Sequence, residues 1–397
     1  MSDTMSGKPR VAPHVAELPK SGIRKFFDIV AQSKDVISLG VGEPDFDTPW
    51  HVSRAAVTCL EDGGTHYTSN LGTPQLRQAI CRYLKRRFRA SFDWEHETLV
   101  TVGVSEAIDL ALRAICSPGD EVLYHEPCFV SYAPTVRLAH GVPVAVETRV
   151  RDEFRLTVAA LEEKVTPRTK ALLLNFPCNP TGATLGRDDR LAILDFVARH
   201  DLILLADEVY SELDYTIDES RPETPLESFA SFPEFRDRVV LLNGFSKSWA
   251  MTGFRLGYAC GPADIVDAMM KIHQYGIMSA PTLSQAAGVE AMDNGDADVD
   301  RMRREYRRRR DFLVPALNAM GLPTFMPRGA FYVFPDIRRT GFDSESFALR
   351  LLRDHGVACV PGGAFGPCGE GFVRMSYATS YEKLQEAVRR IGRMLGK

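Results

Sequence analysis

In Leu202-Ile203-Leu204-Leu205-Ala206-Asp207-Glu208-Val209-Tyr210 an unbroken apolar run of five residues meets two acids. Ala171-Leu172-Leu173-Leu174 is a second such run upstream. Near-continuous runs of this kind suit strands covered on both faces, because a strand with one wet face alternates. From about residue 98, short apolar runs alternate with longer amphipathic ones, the signature of an α/β sheet with crossover helices. The spacing predicts strands at 98–103, 121–124, 143–147, 170–175, 202–206, 239–243 and 255–260, and helices at 106–115, 187–200 and 263–275. In the second of these helices Leu191, Leu194 and Val197-Ala198 recur at helical spacing. Ligands of an open α/β sheet bind at the carboxyl ends of its strands, so Asp207 falls where a cofactor would lie.

The character changes after about residue 283. A long charged helix at 286–320, a hairpin-like section at 329–334, a helix at 344–355, strands near 357–360 and 372–376 and a final helix read as a second, α+β domain. The expected division is a large cofactor-binding domain at 50–282 and a small domain made of 1–49 and 283–397.

Composition narrows the class. A chain of 397 residues, 45% hydrophobic, can bury a large core and should form two domains. A net charge of −4 argues against a nucleic-acid partner. The basic run 301–310 reads as a solvated helix face, with acids at Glu305 and Asp311. Eight cysteines without a C-x-x-C pair fit thiols in a reducing compartment, and no metal site is expected. Asp296-Ala297-Asp298-Val299-Asp300 starts like a calcium loop but has Arg301 where the turn needs Gly, and Arg307 where a bidentate Glu belongs. No segment supplies the roughly 20 apolar residues of a membrane span, and the N-terminus lacks a signal core. A soluble, cytoplasmic protein is expected.

The chemistry gathers at strand ends. In Asn243-Gly244-Phe245-Ser246-Lys247-Ser248 a lysine follows a hydroxyl residue, and Arg255 comes eight residues after the lysine. A phosphorylated aldehyde cofactor needs that set: an amine for the aldehyde, and a hydroxyl and a guanidinium for the phosphate. Alone, the stretch could be an ordinary strand and loop. Asp207 gives it a partner, since a carboxylate against a pyridine nitrogen keeps the ring protonated and able to accept electrons. Tyr210 and Asn179, the latter in Asn175-Phe176-Pro177-Cys178-Asn179-Pro180-Thr181-Gly182, could both reach a ring oxygen. Val102-Gly103-Val104-Ser105 turns a strand into a helix whose first N–H groups, with the Ser105 hydroxyl, make an anion site.

These motifs, in this order, resemble the class I aminotransferases of the fold type I pyridoxal-phosphate enzymes. The resemblance runs from Ile37-Ser38-Leu39-Gly40-Val41-Gly42-Glu43-Pro44-Asp45 to Gly371-Phe372-Val373-Arg374-Met375-Ser376, nearly the whole chain. It is most similar to the prokaryotic branch that holds aspartate, aromatic and N-acetyl-diaminopimelate aminotransferases. The resemblance implies a mostly parallel seven-stranded sheet in the large domain, a smaller α+β domain, pyridoxal 5'-phosphate as cofactor and a homodimer with shared active sites. It implies that Lys247 binds the cofactor aldehyde and that Asp207 meets the pyridine nitrogen. Asn179 and Tyr210 would hold the ring hydroxyl, and Phe129 would stack on the ring. Val104, Ser105, Ser246 and Arg255 would hold the phosphate, with Tyr67 reaching the neighbouring subunit's site. Gly42, Arg374 and Asn179 would grip the substrate carboxylate, while Ile23, Phe129 and Tyr332 would line the side-chain pocket.

Two departures stand out. Gly244 stands where many members place Ser, and Ser105 where one aspartate-specific group has Lys. The expected reaction is transfer of an amino group from an L-amino acid to a 2-oxo acid, 2-oxoglutarate above all. The alternative is a carbon–sulfur β-lyase on the same scaffold. A ligand-sensing regulator of this fold would need a DNA-binding extension, for which the short N-terminus leaves no room.

Overall fold

The computed structural model describes residues 10–18, 35–217 and 224–397. Seven strands form the central sheet: β1 (Thr98–Thr101), β2 (Glu121–Glu126), β3 (Val142–Glu147), β4 (Thr169–Asn175), β5 (Ile203–Asp207), β6 (Val239–Gly244) and β7 (Gly257–Cys260). Their spatial order is β1-β7-β6-β5-β4-β2-β3. All pairs are parallel except those of β7, which runs antiparallel to both β1 and β6. The expected mostly parallel sheet of seven strands is therefore present.

The continuous apolar runs are explained by two cores. Successive side chains of a strand point to opposite faces. Leu173 and Leu205 join helices Val104–Ile115 and Ala263–Gly276 on one face, while Leu172, Leu174, Leu204 and Ala206 join Arg187–Arg199 on the other. Both faces are dry, so no position can be polar until the strand ends. Parallel register then lines up the ends, with Asn175 opposite Asp207.

The last expected strand begins two residues late. Arg255 takes a left-handed backbone (φ 51°) after the short turn Thr252–Phe254, and β7 starts at Gly257. The single long helix expected at 286–320 is two helices, Thr282–Asn294 and Asp296–Ala319. Between them lies Gly295, where a Cβ would sit 2.5 Å from the Trp249 indole nitrogen. The first of the pair packs with Pro74–Phe88 in the core around Trp249 and Tyr258. The second carries the basic run, which is not simply a solvated face. Arg303, Arg309 and Arg310 are buried and paired, with Asp300, with Asp45 and Glu305, and with Asp311.

Beyond it, β8 (Tyr332–Val333), β9 (Val360–Pro361) and β10 (Val373–Ser376) form a three-stranded antiparallel sheet with β10 in the middle. The strand Ile37–Ser38 pairs in parallel with Val357–Ala358, tying the early chain to this region. Gly182 (φ 73°) is one point where the two regions pack closely. A Cβ there would meet Pro327 at 2.5 Å, and its carbonyl accepts the N–H groups of Arg328 and Gly329. Among the described residues no helix is long and apolar enough to cross a membrane.

Candidate active site

The carboxyl edge of the sheet opens into a cavity of about 690 Å³, of the size that small-molecule sites occupy. Its wall includes Gly42, Val104, Ser105, Phe129, Asn179, Asp207, Tyr210, Ser246, Lys247, Arg255 and Arg374, which the sequence scattered over more than 300 positions. Tyr332 lines it as well. Two expected residues stand apart. Tyr67 is 83% exposed and is not part of this wall, and Ile23 lies outside the described residues.

Lys247 sits in the short helix Phe245–Ser248 that follows β6, and its Nζ donates to the Gly42 carbonyl at 2.6 Å. Burial pulls its pKa from 10.5 down to about 8, and the guanidinium groups of Arg374 and Arg255 push the same way. Glu43 and Asp207 oppose them. A fraction of the amine is therefore neutral near pH 7, which a nucleophile and proton carrier requires.

Asp207 closes β5 and is buried. Burial pushes its pKa from 3.8 up to about 6, while hydrogen bonds from Tyr132 and the Val209 N–H, and the charge of Lys247, hold it down. It is therefore ionised at neutral pH, a buried anion suited to a cationic ring nitrogen.

Arg374, from β10, is buried. It donates to Asn179 Oδ1 at 2.8 Å and to the Gly40 carbonyl at 2.6 Å, with its guanidinium carbon 4.5 Å from the centre of the Tyr332 ring. Its Nε is buried and has no hydrogen-bond partner among the described residues. Asn179 is in turn fixed by its backbone N–H, which donates to Asn175 Oδ1 at 2.9 Å. The hydroxyls of Tyr210 and Tyr332 are 2.8 Å apart. Gly42 and its neighbours are steadied by Asp45, which takes Arg309 at 2.7 Å.

Three chain segments with donors suited to an anion meet on the cavity wall. Gly103 (φ 77°) starts helix Val104–Ile115, and a Cβ there would meet the Arg255 guanidinium at 2.7 Å. The helix start, Ser246 and Arg255 thus converge on one anion site. Gly244 also has a physical reason. An added Cβ would lie 2.8 Å from a Val104 methyl and 3.0 Å from the Leu256 carbonyl, so a serine has no room. An amine, an ionised acid for a ring nitrogen, an anion cradle and a buried guanidinium with a spare donor together fit pyridoxal phosphate and an amino acid.

Sequence reasoning did not single out Tyr132, Val41, Glu43, Ile108, Val130 or Asn175. They reach the site only through folding. Asn175 alone carried a signal, as the polar end of an apolar strand.

Comparison with known proteins agrees. The family model for aminotransferase class I and II matches residues 34–391. The chain is 47% identical to an aspartate aminotransferase of Pyrococcus abyssi, over 94% of this chain and 95% of the relative. It is 44% identical to aromatic-amino-acid aminotransferase 2 of Thermococcus litoralis, over 94% and 95%. The crystal structure of an aromatic aminotransferase from Pyrococcus horikoshii superposes with a TM-score of 0.88 at 46% identity, covering 94% of this chain and 98% of that one.

Proposed function

The chain belongs to the class I and II aminotransferases, enzymes that use pyridoxal phosphate, and from that premise we propose that it moves the amino group of an aromatic, aspartate or related L-amino acid to 2-oxoglutarate. The observation that carries the reading is the meeting of the Lys247 amine, the buried Asp207 carboxylate and the buried Arg374 guanidinium on one cavity.

When bound, pyridoxal phosphate supplies an aldehyde for amines and a ring that accepts electrons from the substrate's Cα. The chain's own residues supply the rest. Lys247 is the residue for the aldehyde, and as a free amine it takes up the α-proton as general base and returns it as general acid. Asp207 keeps the ring nitrogen protonated. Asn179 and Tyr210 hold the ring oxygen, and Phe129 covers the ring face. Ser246, Arg255, Ser105 and the N–H groups at Val104 hold the phosphate. Arg374 grips the α-carboxylate through two parallel hydrogen bonds, beside the Gly42 backbone.

The donor preference follows from charge. Among the described residues the only cations in the wall are Lys247, Arg255 and Arg374, and each already has a task. A buried distal carboxylate costs several kcal/mol unless a cation meets it, and Ser105 is none. Val41, Ile108, Phe129, Val130 and Tyr332 give the wall an apolar and aromatic part, and its further polar groups, Glu43, Asn175 and Thr252, add no cation. Such a wall favours a broad enzyme that accepts aromatic side chains alongside dicarboxylates.

A shared active site belongs to the same proposal. Tyr67 reaches the phosphate of a second subunit in a homodimer, and it is exposed, as are Tyr275, Ile277 and Met278 of a second segment. The Asn70 side chain donates to the Met278 carbonyl at 2.7 Å, joining the two segments. We assign 50–282 to the large domain and 1–49 with 283–397 to the small one, with helix Thr282–Asn294 packed against the large-domain core. The cytoplasm is the proposed location.

A screen of amino donors with 2-oxoglutarate tests the reading. Aspartate and at least one aromatic or neutral amino acid should give comparable kcat/KM. Release of pyruvate and ammonia without any 2-oxo acid would overturn it in favour of β-elimination. A preference for aspartate above roughly a thousandfold, about 4 kcal/mol, would overturn the pocket argument.

A further inference from the structure

Tyr132 opens helix Tyr132–Leu138 and is completely buried, 75 positions before Asp207. Its hydroxyl donates to Asp207 Oδ2 at 2.7 Å, and the other carboxylate oxygen takes the Val209 N–H at 3.2 Å. Its ring is wedged edge-on between Phe129, centroids 5.9 Å apart at 86°, and His125, 6.5 Å apart at 84°. The hydroxyl is thereby aimed with little rotational freedom. Burial and the neighbouring Asp207 hold the phenol far above its ordinary pKa, so it is always a donor.

The surroundings offer Asp207 no substitute. His125 is buried, and its pKa falls to about 4, so it is neutral at pH 7. Its Nε2 is also occupied, accepting the Asn175 N–H at 3.1 Å. Glu208, next in the chain, is an acid whose own pKa is pushed up by burial to about 7. Lys247 acts on Asp207 through charge and hydrogen-bonds elsewhere, to Gly42. An ionised carboxylate has about four lone-pair directions, and two protein donors leave room for a ring N–H.

We propose that Tyr132 is a positioning residue that fixes the Asp207 carboxylate and keeps it the weaker base, so that the shared proton stays on the cofactor's ring nitrogen. A carboxylate that accepts a hydrogen bond while ionised is less basic. Without the phenol, Asp207 draws the proton to itself, the ring becomes neutral, and it accepts electrons less well. The proposal rests on the assignment of Asp207 to that nitrogen.

The test uses the full-length enzyme loaded with pyridoxal phosphate labelled with ¹⁵N in the ring. Tyr132→Phe keeps the ring packing and removes only the hydroxyl. The ¹⁵N resonance should move from the protonated toward the neutral pyridine position. kcat should fall roughly ten- to a hundredfold, the range of one hydrogen bond to a charged group, with KM for the amino donor little changed because Arg374 is untouched. Equilibrium dialysis on Tyr132→Phe, Asp207→Asn and the double variant gives a second reading. Tyr132→Phe should weaken cofactor binding in the native background and have no further effect beside Asp207→Asn. A native ¹⁵N position in Tyr132→Phe, or equal loss of cofactor with and without Asp207, overturns the role of Tyr132. Asp207→Asn binding cofactor as tightly as the native chain, with a native ¹⁵N position, overturns the underlying assignment of Asp207 instead.

Discussion

Asp207→Asn should make the cofactor-free enzyme more stable and the loaded enzyme less so. The native side chain is 4% exposed, and burial pushes its carboxyl from 3.8 up to about 6. At about 1.4 kcal/mol per pH unit, that displacement corresponds to a burial cost of about 3 kcal/mol. The sign is fixed by proton counts. Between pH 4 and 6 the folded chain holds a proton that the unfolded chain has lost, so stability falls as pH rises through that window. Above pH 6 the full cost remains. Asparagine never ionises and escapes it, and its carbonyl can still accept the Tyr132 hydroxyl. Its amide then faces the Val209 N–H, which gives back about 1 kcal/mol. The net gain is about 2 kcal/mol at pH 7.5. With an unfolding entropy of about 2 cal/mol/K per residue over 397 residues, the midpoint rises by about 2 °C. The assay is thermal unfolding of the cofactor-free protein followed by circular dichroism, at equal chain concentration, at pH 4.5 and 7.5. The gain should be present at pH 7.5 and mostly gone at pH 4.5. With pyridoxal phosphate added the order should reverse, because only the native chain offers the ring nitrogen an anion. A cofactor-free variant that melts below the native protein at pH 7.5 would refute the reasoning, as would a gain of the same size at both pH values.

Arg374→Lys should raise KM for every amino donor by tenfold or more, since an ammonium cannot reproduce two parallel guanidinium contacts; a defect confined to one side-chain class in the donor screen would mean that Arg374 reads side chains instead. Gly244→Ser should lower the melting temperature and leave cofactor affinity no better, because its Cβ meets Val104 at 2.8 Å and overpacking costs about 1–3 kcal/mol; tighter cofactor binding by dialysis would contradict this. Mixing two impaired chains, Tyr67→Phe and the double variant Lys247→Ala, Arg255→Ala, should restore partial activity, because a hybrid dimer assembles one site with Lys247 and Arg255 from the first chain and Tyr67 from the second. No recovery in confirmed hybrids would confine Tyr67 to its own subunit or make it dispensable.

The apolar pattern of the chain was enough to locate the sheet and the polar residues at its edge. A strand buried on both faces must be apolar until it ends, so Asn175, Asp207 and Asn243 are the first polar groups after Leu174, Ala206 and Leu242, and Lys247 follows four residues after the last of them. Parallel pairing then leaves those ends no place but one edge, which is why their meeting needed no coordinates. Glycine was legible as glycine but not as to cause. That Gly244 is filled by a Val104 methyl, and that Gly295 breaks a helix against Trp249, depends on neighbours from other elements. The basic run shows the same limit. Its composition reads as a wet surface, yet Arg309 turns inward because Asp45, 264 positions away, is there to receive it. Tyr132 is the clearest instance, an aromatic residue with every local mark of core packing that becomes a hydrogen-bond donor to Asp207 across two elements. Local patterns record what one strand or helix must do to be buried. Which polar atoms then meet is fixed by how the elements pack, and a period of two or of 3.6 residues carries no trace of it.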